Sequence, residues 1–506
     1  MRNRGGRFGV DPPRENFLTT RLMKRILVLS VITMAVAFSS AESQTAPPPT
    51  QPYRAATTPR EKLAREVYAQ LVGINTMDSV GSTTRAARAM AKRFIDAGFP
   101  AADVKVLVPA EDSTKGNLVV RYRARGTSAR KPILLLAHLD VVAALRADWS
   151  RDPFTLGEEN GFFYGRGSAD DKAMASMFVA NLLQYKADGW RPDRDIILAL
   201  TAAEEGGDNN GVEWLIKEHK PLIDAEYAIN EGGGGALMGK DGNAIPLFNG
   251  IQAAEKVPEN FTLTVRNKGG HSSVPMPVNA IYSLANALGR LSKFTFPVSL
   301  NPVTREFFQQ GAKVTPEPAA SAMTAIAANP LDSTAAAVLS KDPLMASILR
   351  TSCVATKLAG GHANNALPQT ATANVNCRIA PTSSIQETMD ILNRVFADTS
   401  VAITFTTRER EKFPKSTDAV IPAVLSATTE ITHSMWGDIP VLQVMSTGAT
   451  DGRFLRAVGI PTFGVSGIFA FPGENNAHGR DEKLRTKSYY EGYDFLDKLV
   501  RKLAGG

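Results

Sequence analysis

A chain of 506 residues is too long for one ordinary core and points to two or three domains. Its 43% hydrophobic and 21% charged residues are the composition of a folded protein and exclude a disordered one. The net charge of +7 is concentrated at the start: residues 1–25 hold seven Arg or Lys against two Asp or Glu, leaving 50 basic and 48 acidic side chains elsewhere. No basic stripe with interleaved aromatics remains, so nucleic-acid binding is not supported.

Met23-Lys24-Arg25 precedes an apolar stretch from Ile26 to Phe38, followed by Ser39-Ser40-Ala41. This is the charged, apolar and small-residue order of a secretory signal over 23–41, which places the mature chain in the periplasm or outside the cell. Residues 1–22 then read as an extended or mis-assigned start before Met23. Residues 42–58, rich in Pro, Thr, Ala and Gln, read as a disordered linker. The apolar run is short for a membrane span and no later run is long enough for one.

Residues 59–98 carry apolar positions at helical spacing, with a break at Gly81-Ser82-Thr83 that can cap a second helix. Strands are expected at 105–108 and 117–122. The run Ile133-Leu134-Leu135-Leu136-Ala137-His138-Leu139-Asp140 then reads as a strand buried on both faces, as in a parallel α/β sheet. His138 and Asp140, two apart, project on one side from its carboxyl end, where open α/β sheets bind ligands. A histidine with a carboxylate beside it suits a metal ligand and its partner; a chance pair in a loop is the alternative.

Gly165-Arg166-Gly167-Ser168-Ala169-Asp170-Asp171-Lys172 follows, then a helix to Tyr185. Glycines before a helix suit phosphate, but two carboxylates would repel it, and a metal suits them better. A second buried strand, 196–202, ends at Glu204-Glu205, and a third, 227–230, ends at Glu231 before four glycines. Adjacent carboxylates ionise together most readily beside a cation; an exposed acidic turn is the competing reading. Carboxylates and a histidine at strand ends, with His478 returning in a late loop, are what a two-zinc hydrolase needs.

From residue 255 the pattern changes. A half-buried strand at 261–266, a turn at Gly269-Gly270-His271, a helix at 280–292, strands at 352–358 and 371–379, a helix at 384–398 and a strand at 402–407 make a β-α-β-β-α-β order, the split βαβ sandwich. It occupies 255–412 as an insert in the catalytic domain, with 300–350 an Ala- and Pro-rich insertion within it. Cys353 and Cys377 flank a Gly/Asn/Pro turn; a bridge across a hairpin and two buried thiols are both open. After 413 the catalytic pattern resumes: helix 418–435, strand 440–445, helix 452–457, strand 461–465 and a closing helix at 487–503.

The motifs, in this order from about Thr58 to the carboxyl terminus, resemble those of the co-catalytic zinc metallopeptidase family twenty, which includes aminoacylase, glutamate carboxypeptidase, carnosinase-like dipeptidases and succinyl-diaminopimelate desuccinylase. The resemblance implies an α/β, zinc-exopeptidase-like catalytic domain (59–254 and 413–506) whose mixed, mostly parallel sheet is flanked by helices, plus an inserted α+β, ferredoxin-like lid and dimerisation domain. It implies two Zn²⁺ per subunit, with Co²⁺ or Mn²⁺ as substitutes: His138, Glu231 and Asp170 on one, and Glu205, His478 and Asp170 on the other, with a cis peptide after Asp170. Asp140 would orient His138, and Glu204 would be the general base. His271, in the lid, would bind the oxyanion, reaching the other subunit's site in dimeric members. Asn365 in Asn-Ala-Leu-Pro, Arg378 in Cys-Arg-Ile-Ala-Pro and Arg453 in Ala-Thr-Asp-Gly-Arg fall on substrate-binding positions, though Ala-Leu stands where the family usually has Val-Ile; a structural ion pair is the alternative for each arginine. The expected activity is hydrolysis of an amide in a small peptide, as a carboxypeptidase or dipeptidase, with an aminoacylase acting on N-acyl amino acids as second reading. A catalytically silent binding protein on the same scaffold is the reading from another class. The 300–350 insertion leaves the substrate open.

Overall fold

The computed structural model describes residues 54–206, 209–239, 244–405 and 420–505. The expected leader at 23–41, the prefix before it and linker residues 42–53 lie outside the described residues. Residues 54–58, expected as the end of that linker, are instead held to the body: Arg54 and the Thr57 and Thr58 amides bond the Glu61 carboxylate. Thr58 and Glu61 form a capping box on the helix Pro59–Val72, and Ser82 caps Thr83–Asp96, both at residue types that satisfy free helical amides.

The central sheet runs in the order Val104–Leu107, Asn117–Tyr122, Ile196–Thr201, Ile133–His138, Tyr227–Asn230, Thr462–Gly464, Ile245–Glu255, Gly234–Met238, Phe469–Ala470, with Val441–Ser446 paired beside Ile245–Glu255. Ile133–His138 lies parallel to both Ile196–Thr201 and Tyr227–Asn230, so these three strands end on the same side. All their residues are buried, as unbroken apolar runs require when helices cover both faces. The sheet is mixed because Asn117–Tyr122 pairs antiparallel to both its neighbours and Gly234–Met238 antiparallel to Ile245–Glu255. The glycine run after Glu231 has a packing cause: Gly233, at φ 63°, leaves no room for a Cβ beside the carbonyls of Gly250 and Gly464.

The lid is a four-stranded antiparallel sheet ordered Ser352–Gly360, Thr370–Ile379, Val257–Arg266, Val401–Phe405. Helices Ala280–Leu291 and Ile385–Phe396 cover one face. Thr370–Ile379 alternates buried and half-buried along its length, the pattern of a sheet with one covered face. Cys353 and Cys377 stand directly opposite in this sheet and form a disulfide, which settles the choice left open by the sequence. The ends of two expected elements, 406–407 and 418–419, lie outside the described residues.

One expectation needs correcting. The 300–350 insertion is helical, with Pro302–Gly311, Ala319–Ala328, Ser333–Leu339 and Pro343–Leu349, and it packs on the body, not the lid. Phe308, Met323, Ile326 and Leu349 are buried in the same core as Leu442 and Met445. The lid core contains none of these residues. Each of these helices is short and apolar on one side, so it must bury that side against a larger surface, and the outer part of the main sheet supplies it.

Candidate metal centre and active site

Strand ends deliver most of the site. His138 closes its strand, and its Nδ1 lies 3.0 Å from the carbonyl oxygen of Asp140. A carbonyl only accepts, so Nδ1 donates and Nε2 is left facing the cluster. The Asp140 carboxylate is farther from the ring, 3.7 Å from Nδ1, and accepts instead from the Glu204 and Glu205 amides at 3.1 and 3.0 Å. Asp140 thus ties the histidine to the paired glutamates, a broader role than orienting the ring with its carboxylate. Ala203, just before the pair, adopts φ 59°, a left-handed turn that lifts the chain off the strand.

Asp170 lies at the centre. Its Oδ1 is 3.0 Å from His138 Nε2, and its Oδ2 is 3.2 Å from His478 Nε2. Glu231 Oε2 stands 3.6 Å from His138 Nε2, and Glu205 Oε2 stands 2.9 Å from His478 Nε2. The peptide between Asp170 and Asp171 is cis. All five expected ligands therefore converge, with one carboxylate between the two histidines. Metal-sized groupings are His138, Asp170 and Glu205, and His138, Asp171 and Glu231; Asp171, buried, was read from the sequence with Asp170 as a carboxylate suited to a metal but was not assigned as a ligand.

The electrostatics describe an excess of negative charge. Burial and the Glu231 carboxylate push Glu204 and Asp171 well above the usual carboxylate range. Burial pushes Glu231 up to about 7, against the pull of His138. Burial lowers the proton affinity of His138, but Glu231 and Asp170 outweigh it and raise it well above the usual histidine range; Asp170 and Glu205 raise His478 to about 10. Imidazole nitrogen with carboxylate oxygen is the donor set zinc takes, and a buried anionic cluster is stable only when cations compensate it. The residues fit a pair of divalent cations.

Three supporting residues were not singled out from the sequence. Glu482, wholly buried, bonds Arg166 and the amides of Gly167, Ala169 and Asp170. Asp451 accepts from Thr201 and Asn210, and burial raises it to about 6. Lys172, at the end of the glycine motif, is buried with its ammonium on the Ile74 carbonyl. Asp451 lay inside the segment quoted for Arg453, and Glu482 stands four residues after His478, the only signal available.

The lid positions fall into two places. His271 is exposed, and its Nδ1 accepts from the Ser273 amide at 3.2 Å, which leaves the proton on Nε2. Gly270 and His271 pair with Leu367 and Ala366, and the Ser272 amide donates to the Asn365 carbonyl, so His271 and Asn365 are neighbours. Arg378 and Arg453 meet elsewhere, close enough for the charge of one to lower the other's proton affinity. Neither makes an ion pair within 4 Å among the described residues, although the Arg453 charge reaches the Asp451 carboxylate and pulls its proton affinity down.

A bridging carboxylate between two histidines, on a mixed sheet with an inserted lid, defines a metal-dependent hydrolase. The chain belongs to peptidase family M20/M25/M40, whose model matches residues 134–502. The probable carboxypeptidase S-like 2 of Dictyostelium discoideum is 28% identical over 397 residues, covering 73% of this chain and 71% of that protein. The N-fatty-acyl-amino acid synthase/hydrolase PM20D1 of Homo sapiens is 28% identical over 383 residues, covering 73% of this chain and 74% of that protein. Among solved structures, the M20 family metallo-carboxypeptidase Sso-CP2 of Sulfolobus solfataricus shares the fold, with a TM-score of 0.63 at 18% identity, over 87% of this chain and 99% of that one.

Proposed function

We propose that this chain is a secreted or periplasmic two-metal amidohydrolase that cleaves small peptides as a carboxypeptidase or dipeptidase. The observation that carries the reading is Asp170, which turns one oxygen to His138 and the other to His478. His138, Asp170 and Glu231 would hold one ion, and Asp170, Glu205 and His478 the other, with zinc the first choice and cobalt or manganese as substitutes. When bound, such ions supply Lewis acidity toward the scissile carbonyl and make water easier to deprotonate. Glu204, set beside the ligands by its amide bond to Asp140, takes the proton of the attacking water on a carboxylate oxygen. It then returns that proton to the leaving nitrogen. His271 donates from Nε2 to the developing oxyanion, and Asn365 helps seat the substrate.

The relative that acts on N-fatty-acyl amino acids favours a second reading, an aminoacylase. A silent binding protein would have no use for Glu204. The lid's edge strand Ser352–Gly360 exposes Val354 and Leu358, and the adjoining helix exposes Ile281 and Tyr282; we assign this surface to a second copy of the chain, as a homodimer. No helix among the described residues is long and apolar enough to cross a membrane. The secretory assignment rests on the residue order at 23–41 alone, and amino-terminal sequencing of the exported protein tests it. Hydrolysis of a panel of dipeptides and N-acetyl amino acids, with and without a chelator, tests the activity. Chelator-sensitive release of a carboxyl-terminal amino acid supports the peptidase, and cleavage of N-acetyl amino acids alone moves the assignment to the aminoacylase. Turnover unaffected by chelator overturns both.

A further inference from the structure

The turn that carries Glu204 is held by groups that the chemistry of the site does not use. It follows the strand Ile196–Thr201, and Ala203 within it sits at φ 59°, a left-handed conformation unfavourable for any residue with a Cβ. Such a turn persists only where its surroundings fix it. The Ala202 amide donates to Asn117 Oδ1 at 3.0 Å, and the Ala202 carbonyl accepts from the Gly211 amide at 2.7 Å. The Ala203 carbonyl accepts from Asn210 Nδ2 at 3.1 Å. The Glu204 and Glu205 amides end on Asp140.

Asp451 joins the two ends of this segment. It is 1% exposed and directly precedes the helix Gly452–Ala457. Its Oδ2 accepts from Thr201 Oγ1 at 3.1 Å, where the strand ends, and its Oδ1 from Asn210 Nδ2 at 2.6 Å, where the helix Gly211–Ile223 begins. Asn210 thus gives its side-chain amide to both Asp451 and Ala203, while its Oδ1 caps that helix through the Glu213 amide. The neighbouring Thr450 is fixed in turn. Its amide and hydroxyl donate to Glu255 at 2.7 and 2.8 Å, and its hydroxyl accepts from Asn230 Nδ2 at 3.3 Å. Asn230 precedes the ligand Glu231, so residues 450–451 tie together the ends of two of the strands that bear the site. Thr201, Asn230, Glu255 and Thr450 are all buried. A polar network so placed holds its shape, because a lost partner leaves a desolvated atom unpaired.

We propose that Asp451 is a positioning residue for the general base: through Thr201 and Asn210 it fixes the turn at Ala203, and the turn fixes where the Glu204 carboxylate stands. The proposal rests on the reading of Glu204 as the base. Asp451 acts by its two hydrogen bonds and not by its charge. Alanine at 451 removes both acceptors. Asparagine keeps one for Asn210 and leaves Thr201 able to turn its hydroxyl to the Ala137 carbonyl, 3.4 Å away.

The test compares metal-loaded wild type, Asp451→Ala and Asp451→Asn on alanyl-leucine and N-acetyl-leucine, with equal metal content confirmed by elemental analysis. In Asp451→Ala kcat is expected to fall about 10- to 100-fold with KM little changed, as displacement of a reacting group by about 1 Å implies. Asp451→Asn should keep most of the rate. Asn210→Ser keeps a capping oxygen for the helix but loses the amide that joins Asp451 to Ala203. It should resemble Asp451→Ala, and the two together should cost little more than either alone; it is also the variant to read if Asp451→Ala does not fold. Unchanged kcat in folded Asp451→Ala overturns the proposal. So does an Asp451→Asn as slow as Asp451→Ala, since charge and not position would then matter. If wild type cleaves neither substrate, the amidohydrolase reading has failed, and hydrogen exchange across residues 202–206 decides the positioning separately. Exchange that quickens in Asp451→Ala but not in Asp451→Asn supports it, and any other pattern overturns it.

Discussion

The carboxylate of Glu482 holds the backbone of Asp170: one oxygen accepts from the Ala169 and Asp170 amides at 2.6 and 3.1 Å, and the other from Arg166 at 2.7 Å. Glu482 therefore sets where the bridging carboxylate stands without touching it. Glu482→Gln keeps the volume but turns amide hydrogens toward amide hydrogens. Its metal affinity should fall by about 10- to 100-fold, the usual effect of an outer partner. Chelator competition measures this, with a melting curve run in parallel. Unchanged metal affinity in a folded variant would show that the Asp170 loop holds its own shape.

Glu204 and Asp170 should separate cleanly. Glu204→Gln is expected to keep both metals and lose turnover by about 10²- to 10⁴-fold, the contribution of a general base. Asp170→Ala should lose metal, since both histidines face that one carboxylate. Elemental analysis beside a rate assay distinguishes them. Loss of metal from Glu204→Gln would make it a ligand instead of a base.

Among the described residues the His271 side chain bonds only to Ser273 in its own turn and is exposed, the placement of a residue that serves another subunit's site. His271→Ala and Glu204→Gln should each be inactive alone. Mixed and allowed to exchange in a two-fold dimer, they should regain about a quarter of wild-type activity, because half the dimers then hold one complete site. No recovery after exchange confirmed by native mass spectrometry would place His271 within its own chain's site or outside catalysis.

The amino-terminal anchor should be acid-sensitive. Burial pushes Glu61 up, but the bonds from Thr58, Thr57 and Arg54 outweigh it and hold the carboxyl at about 2, against 4.5 for a free glutamate. A carboxyl depressed on folding stabilises fully above its unfolded pKa, and that contribution fades as pH falls from about 4.5 toward 2. Glu61→Gln should thus be less stable than wild type by on the order of 2 kcal/mol at pH 7. Denaturant titrations should show the gap closing on acidification. A gap independent of pH would mean that shape, and not charge, makes the anchor.

Local pattern determined a great deal of this protein. Unbroken apolar runs marked the three strands that end together, and alternation marked the lid strands, because burial on two faces or one is written directly in residue order. The site residues were legible for the same reason: His138 closes the first of those strands, and the ligands Glu205 and Glu231 and the base Glu204 follow the other two within a few positions. What residue order does not carry is which distant segment comes back. His478 reaches Asp170 across 308 positions, and sequence reasoning placed it only through a motif resemblance. Glu482 arrives by the same return but does its work through backbone amides, which every residue has, so no residue type at Ala169 or Asp170 announces the contact. The insertion was assigned to the lid by its position in the chain, yet its apolar faces found the larger surface of the main sheet. Lys256 meets Ser347 across 91 positions only because the insertion folds back to where the lid begins, since a charge has no neighbours until the tertiary structure supplies them.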